Sequence, residues 1–210
     1  MKTFLLSPAL LIIMLLFGGS RSSDAIQIDG VVNQGEWEGA KERPLSGGGK
    51  VFTKLEKNIL FIALVGNKKA WSHVYLVNGD TVRILHASAA LGEARYVKRQ
   101  DVWRSTSSFQ WQLRERDYNL ELEKKQQEHF VHEGWVANNN NLGNGMVFEF
   151  KIDLSRISSP LRWACVLAEV PLELHYYPTD LKDNTTLPRL VQGYTPDSLR
   201  FNPQSWESAQ

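Results

Sequence analysis

The chain has 210 residues, 42% hydrophobic and 22% charged, with 24 basic against 23 acidic side chains, one cysteine and seven tryptophans. This is the size of about one globular domain, for which roughly 100–200 residues suffice. A formal charge of +1 lacks the clustered basic excess by which proteins read nucleic-acid phosphates, so no nucleic-acid partner is expected. The abundance of large apolar residues excludes a disordered chain, and a single cysteine excludes an internal disulfide, leaving stability to a hydrophobic core.

The N-terminus begins with a charge at Lys2, runs apolar from Phe4 to Phe17 apart from Ser7 and Pro8, and turns small and polar from Gly18 to Ser23. That three-part pattern reads as a secretory signal over residues 1–23, too short in its apolar part for a comfortable membrane span. Its removal takes away Lys2 and Arg21, lowering the basic count from 24 to 22 against 23 acidic groups. The expected mature protein is a near-neutral single domain over residues 24–210, secreted or periplasmic, without a membrane association of its own.

Along that domain the apolar residues recur mainly with a period of two. Ala25 to Gly30 alternates and ends at a turn residue, as a short strand does. Gly35 to Ala40 follows, with Trp37 expected to plug the core and Glu36 to stay outside. Lys50–Leu55 and Ile59–Val65 predict two strands joined around Lys57-Asn58. Trp71–Val77 and Thr81–His86 predict a hairpin turning at Asn78-Gly79-Asp80, because Asn-Gly tolerates the positive φ of the tight hairpin turns. Arg95–Lys98 and Phe109–Leu113 continue the alternation. Arg116–Glu133 departs from it: its composition favours a helix, with loosely helical apolar spacing. Asn138–Gly145 reads as a polar loop, Met146–Leu154 as an alternating strand, and Leu161–Val170 as a central strand covered on both faces. Within the latter, Cys165 reads as a buried, inert thiol. From about residue 171 the chain is proline-bearing and loop-rich, with one closing strand near Leu199–Phe201. The fold class is all-β, a single antiparallel β-sandwich of immunoglobulin or jelly-roll type with one helical insertion.

The motifs of common enzymes are missing: there is no G-x-S-x-G, C-x-x-C or H-E-x-x-H. Ser46-Gly47-Gly48-Gly49-Lys50-Val51 lacks the first glycine and the hydroxyl of a phosphate loop. Glu36 and Glu38 lie two apart, whereas glycosidase carboxylates normally face each other across a cleft from different elements. His129 and His132 share a helix face, as metal ligands can. Asn184-Thr185-Thr186 matches a glycosylation sequon. A non-catalytic protein is therefore expected. Of the tryptophans, Trp37 and Trp163 sit in apolar patterns and belong to the core. Trp111 and Trp206 fit either role. Trp71, Trp103 and Trp135 adjoin turns and loops, where a sandwich presents ligand contacts. An indole face stacks on the C–H face of a sugar while neighbouring polar groups take its hydroxyls.

Ile26-Gln27-Ile28-Asp29-Gly30, followed by Gly35-Glu36-Trp37 and Ala40, resembles the opening of the family 9 carbohydrate-binding modules and their DOMON-like relatives. Asn58–Ala63 and Gly145–Leu154 are similar to later strands of that family in the same order, so the likeness spans about Ile26 to Leu167. Asp153-Leu154 stands where the family usually has Pro-Leu. The resemblance implies an extracellular β-sandwich whose characterised sugar binders hold a terminal sugar between two tryptophans, sometimes with structural calcium elsewhere. The matching motifs contain none of those tryptophans, so Trp71, Trp103 and Trp135 are candidates by placement alone. The cytochrome branch implies haem held by Met with His or Lys; here Met146 would pair with His73, His86 or His175. The expected function is an exported, non-catalytic module for a saccharide or other small polar ligand. The alternatives are a haem-binding electron-transfer domain and an envelope interaction protein without a small ligand.

Overall fold

The computed structural model describes residues 25–89, 91–107, 120–138, 144–157, 161–181 and 196–209. The expected signal segment, the Phe109–Leu113 strand, Trp111 and the Asn184 sequon lie outside them. The strands are β1 (Lys41–Pro44), β2 (Lys50–Glu56), β3 (Ile59–Val65), β4 (Ala70–Asn78), β5 (Thr81–Ala87), β6 (Leu91–Arg99) and β7 (Val102–Ser107). After helix α1 (Leu120–His132) come β8 (Trp135–Ala137), β9 (Val147–Asp153), β10 (Leu161–Glu169), β11 (Glu173–Tyr177), β12 (Ser198–Leu199) and β13 (Glu207–Ser208). Among the described residues no helix is long and apolar enough to cross a membrane.

These elements form an all-β sandwich with a helical insertion. One antiparallel sheet has the order β1-β2-β3-β9-β8; the other runs β11-β10-β4-β5-β6-β7-β12, with β13 added along β10. The Asn78–Thr81 pair closes the predicted β4–β5 hairpin over Gly79-Asp80, and Gly79 takes the positive φ of 54° that such a turn requires.

Alternation along the strands of the larger sheet supplies two apolar faces. Val74, Leu76, Leu85, Leu91, Cys165 and Leu167 point toward the smaller sheet and join Ile62, Leu64, Phe148 and Phe150 in the main core. Tyr75, Val77, Ile84, Tyr96, Ala164 and Val166 point the other way. That outer face is sealed by the tail, through Leu181, Leu199, Phe201 and Trp206. The tail expected to be loop-rich thus contains three strands, β11, β12 and β13, with β12 at the start of the expected closing strand, and covers one face of the sheet. Trp206 is 2% exposed, with its ring stacked on Phe201 at 5.4 Å and edge-on to Tyr75 at 5.8 Å. Cys165 is fully buried, as expected, and burial pushes its thiol pKa up.

The smaller sheet meets the inner face of β5 and β6 through its edge strand β8, with α1 packed beside that strand. Only one side chain of α1 among those described is buried, Phe130, which packs on Trp135 at 4.6 Å. This explains the weak helical periodicity of the segment: a helix with one anchor needs no apolar stripe. Beneath it Glu93 accepts a bidentate pair from Arg83, at 2.8 Å to each oxygen, and the Trp135 indole N–H at 2.8 Å. Arg95 closes the network onto Glu93 and Glu133. Burial opposes the Glu93 charge, but the two guanidiniums hold its carboxyl below the usual range.

The first predicted strand is a correction. Residues 25–28 run without strand pairing into a bend at Asp29-Gly30. The amides of Asp29 and Gly30 donate instead to the Glu149 carboxylate, at 3.0 and 2.7 Å. Trp37 is buried as expected, and its Nε1 donates to the other Glu149 oxygen at 3.1 Å. One side chain from β9 thus holds the bend and Trp37, while Glu36 takes the Gln27 amide.

Two stability outcomes follow. Trp206→Ala should cost about 3–5 kcal/mol, as large-to-small changes of aromatic residues in cores do, read as a lower urea midpoint. Glu149→Gln turns an amide N–H₂ toward backbone and indole donors, and should cost about 1–3 kcal/mol by the same measurement.

Candidate functional site

The three tryptophans predicted to face a ligand do not share a surface. Trp71 is half-buried on β4, beside Ala168 on the outer face of the larger sheet. Trp103, on β7, is 1% exposed: it stacks on Phe201 at 4.8 Å and donates its Nε1 to the Phe201 carbonyl. Between β4 and β7 lie two further strands, a lateral separation of roughly 14 Å. Trp135 is 2% exposed and sits on the opposite side of the sheet, in the main core. Trp103 and Trp135 are thus corrected to packing residues, since a ring without exposed area cannot stack on a sugar. Adjacency to a turn marked strand ends but not the tail and helix that cover them.

The candidate haem ligands do not form one group. His73 and His86 face each other across β4 and β5 on the outer face, with His73 Nε2 2.8 Å from His86 Nδ1. His86 Nε2 lies 2.8 Å from Ser88 Oγ, and His73 Nδ1 lies 3.3 Å from the Tyr75 hydroxyl. His175, on β11, belongs to the inner face beside Leu167. Met146 precedes β9 in the other sheet, where its carbonyl accepts from Gly66. The larger sheet separates the outer-face His73–His86 pair from Met146, whereas His175 lies on the inner side, at the end where Met146 meets Gly66. His129 and His132 are exposed on α1, and among the described residues they belong to no group of three metal-ligand side chains. Glu36 accepts from Asn33 and Gln27, and the glycine run at 47–49 is the turn between β1 and β2.

A cavity of about 310 Å³ opens where the edges of the two sheets meet, between β1–β2 on one side and β10, β11 and β13 on the other. Leu60 and Trp163 form its floor, 5% and 3% exposed. Tyr177 stands at its wall, stacked on Trp163 with centroids 5.2 Å apart. Its hydroxyl donates to Glu207 at 3.2 Å, and burial together with the Glu207 charge pushes it up to about 12, so it remains a donor. Lys41 and Arg43 project from β1 at alternate, exposed positions; Thr53, Lys54, Glu207 and Ser208 complete the rim. Lys54 is held by Glu56 at 2.8 Å and by the Glu36 carbonyl at 3.1 Å.

An apolar, partly aromatic floor under a few convergent polar groups is the usual form of a site for small polar ligands. Sequence reasoning missed it because β1 and β13 are too short to show alternation, and because the groove exists only where they meet β10. The aromatic pair Tyr176-Tyr177 next to the apolar β10 was the one signal pointing there.

The chain matches no family model, no curated protein and no solved structure.

The buried histidines give the domain a defined acid response. Burial lowers the His73 pKa to about 3, and burial with the neighbouring His73 lowers His86 well below its ordinary 6.5. When unfolded, both rings take up protons near pH 6.5, so the unfolded chain binds more protons than the folded one as pH falls through that value. Glu149 opposes this: burial raises its carboxyl from 4.5 to about 7, against the Gly30, Trp37 and Asp29 donors. Two imidazoles outweigh one carboxyl between pH 6.5 and 4.5. Stability should therefore fall across that window, visible as a declining urea midpoint, and His86→Gln should flatten the decline.

Proposed function

We propose that the protein is an exported, non-catalytic module that binds a saccharide or another small polar ligand in the groove between Arg43, Tyr177 and Glu207. The observation that carries this reading is the groove itself, in which an aromatic wall stands beside cationic and anionic rim groups. The Tyr177 hydroxyl, Thr53 and Ser208 can exchange hydrogen bonds with sugar hydroxyls, Glu207 can accept from them, and Arg43 and Lys41 can donate. More cations than carboxylates at the rim favour an oligosaccharide carrying an acid group over a neutral one. The apolar N-terminal segment supports export. The resemblance of Ile26–Gly30 and Gly35–Trp37 to carbohydrate-binding modules supports the substrate class, although those residues build the fold: they are the segment that Glu149 holds.

Titration with neutral and acidic oligosaccharides, followed by calorimetry and tryptophan fluorescence, tests the reading. Saturable binding is expected, strongest among acidic sugars. Tyr177→Ala and Arg43→Ala should each weaken it about tenfold, equivalent to ~1.4 kcal/mol, while Trp71→Phe leaves it unchanged. A folded protein that binds none of the panel, or whose binding follows Trp71 instead of Tyr177, would defeat the proposal.

A further inference from the structure

At the end of the sandwich where β3 passes into β4, three ligand-type side chains from the β10–β11 hairpin converge. Glu169 and Glu173 are directly paired across the hairpin, and His175, two residues beyond Glu173, points to the same inner face. One donor atom from each lies within 4.8 Å of the other two. His175 is 6% exposed and Glu169 2%.

Two features distinguish this group from an ordinary surface cluster. His175 Nδ1 lies 2.8 Å from the Ser46 carbonyl and donates to it, which turns Nε2 toward the carboxylates. That Nε2 is buried and has no hydrogen-bond partner; its nearest charged neighbour is Glu169 Oε2 at 3.4 Å. In the neutral ring with its proton on Nδ1, an imidazole lone pair faces carboxylate lone pairs, an arrangement that either a second proton or a metal cation between them relieves. Glu169 is prepared in the same sense. Its Oε1 accepts from the amides of Asn67 and Lys68, at 2.5 and 3.1 Å, leaving Oε2 for the cluster. Burial opposes its charge, but those amides, with His175 beside them, hold the carboxyl below the usual range.

The backbone is shaped around both groups. A Cβ at Gly66 would stand 2.6 Å from Glu169 Oε1, and one at Gly47 would stand 2.9 Å from His175 Nδ1. Only glycine lets the β3–β4 connection reach the carboxylate and the β1–β2 turn reach the imidazole.

We propose that Glu169, Glu173 and His175 form a binding site for a divalent transition-metal ion of the zinc type. One imidazole and two carboxylates, with the far imidazole nitrogen fixed by a backbone carbonyl, are a donor set and an outer shell that suit such an ion. Glu173 is the adjustable ligand: its carboxylate is about half exposed and now pairs with Lys68 at 2.8 Å. Binding draws it inward and releases the ammonium. The site is separate from the groove, none of whose lining residues it uses, and it stands whether or not a sugar binds there.

Chelator-stripped full chain titrated with Co²⁺ and Zn²⁺ tests this, with cobalt absorption and thermal unfolding as readouts. One equivalent of metal should bind with a raised unfolding temperature. Glu173→Gln, a change at an exposed side chain, and His175→Gln should each weaken binding by roughly 10–100-fold. Lys68→Met removes the competing ammonium and should leave binding as strong or stronger. The joint His129→Gln and His132→Gln change should have no effect. Absence of saturable binding by the folded, stripped chain overturns the proposal. So does binding that survives Glu173→Gln and His175→Gln, or that is lost with the two helical histidines.

Discussion

The larger sheet carries apolar side chains on both faces, and neither face can be left to water. β4, β5 and β10 alternate between two cores, with Val74 and Cys165 on one side and Tyr75 and Ala164 on the other. The rest of the molecule is arranged to meet that requirement. The smaller sheet covers the inner face, its edge strand β8 reaching β5 and β6 with α1 beside it, and the tail closes the outer face with Leu199, Phe201 and Trp206. Burial of apolar surface contributes ~25 cal/mol per Å², so the outer cover stabilises the fold through Leu199, Phe201 and Trp206. It also explains where the tryptophans went: four of the described rings, Trp103, Trp135, Trp163 and Trp206, serve as packing at the junctions between layers.

Where the covers meet the sheets, buried carboxylates join segments distant in sequence. Glu93 ties the β8 segment to β5 and β6, Glu149 ties residues 29–37 to β9, and Glu169 ties the β3–β4 connection to β10. A buried carboxylate is tolerated only when donors replace the lost water, so each organises the backbone around it. Glu93 and Glu149 spend both oxygens on donors. Glu169 spends one on two amides and presents the other to an imidazole nitrogen that has no hydrogen-bond partner, and this asymmetry is what gives the third cluster its ligand character.

The groove and the cluster are neighbours along β11, where Tyr177 and His175 point to the same face. Among the described residues β11 pairs with one strand, β10, at the edge of the larger sheet, and its inner side chains pass from the core to the open margin of the sandwich. Edges of this kind combine fixed backbone with partial solvent access, which a recognition site needs. The strands at the centre, covered twice, have no such access; His73 and His86 accordingly spend their ring nitrogens on each other and on Ser88.

By itself the sequence determined that the chain forms strands, where most of them lie, and that Trp37, Trp163 and Cys165 are interior. These follow from a period of two and from apolar neighbours, which are local properties. It also marked the helix by composition and the β4–β5 turn by Asn78-Gly79. Only the tertiary structure decided which faces were covered and by what. Alternation tells which side chains share a face, but it does not tell whether water, a sheet or a tail lies against that face. Hence Trp103 and Trp135, legible as edge residues, proved buried, and residues 25–28, legible as a strand, lay down without one because Glu149 took the amides at the bend. The groove and the Glu169–Glu173–His175 cluster were illegible for the same reason: their parts are short strands and single side chains, and only the pairing of β10 with β11 and β13, and the packing of β1 beside them, brings those parts within reach.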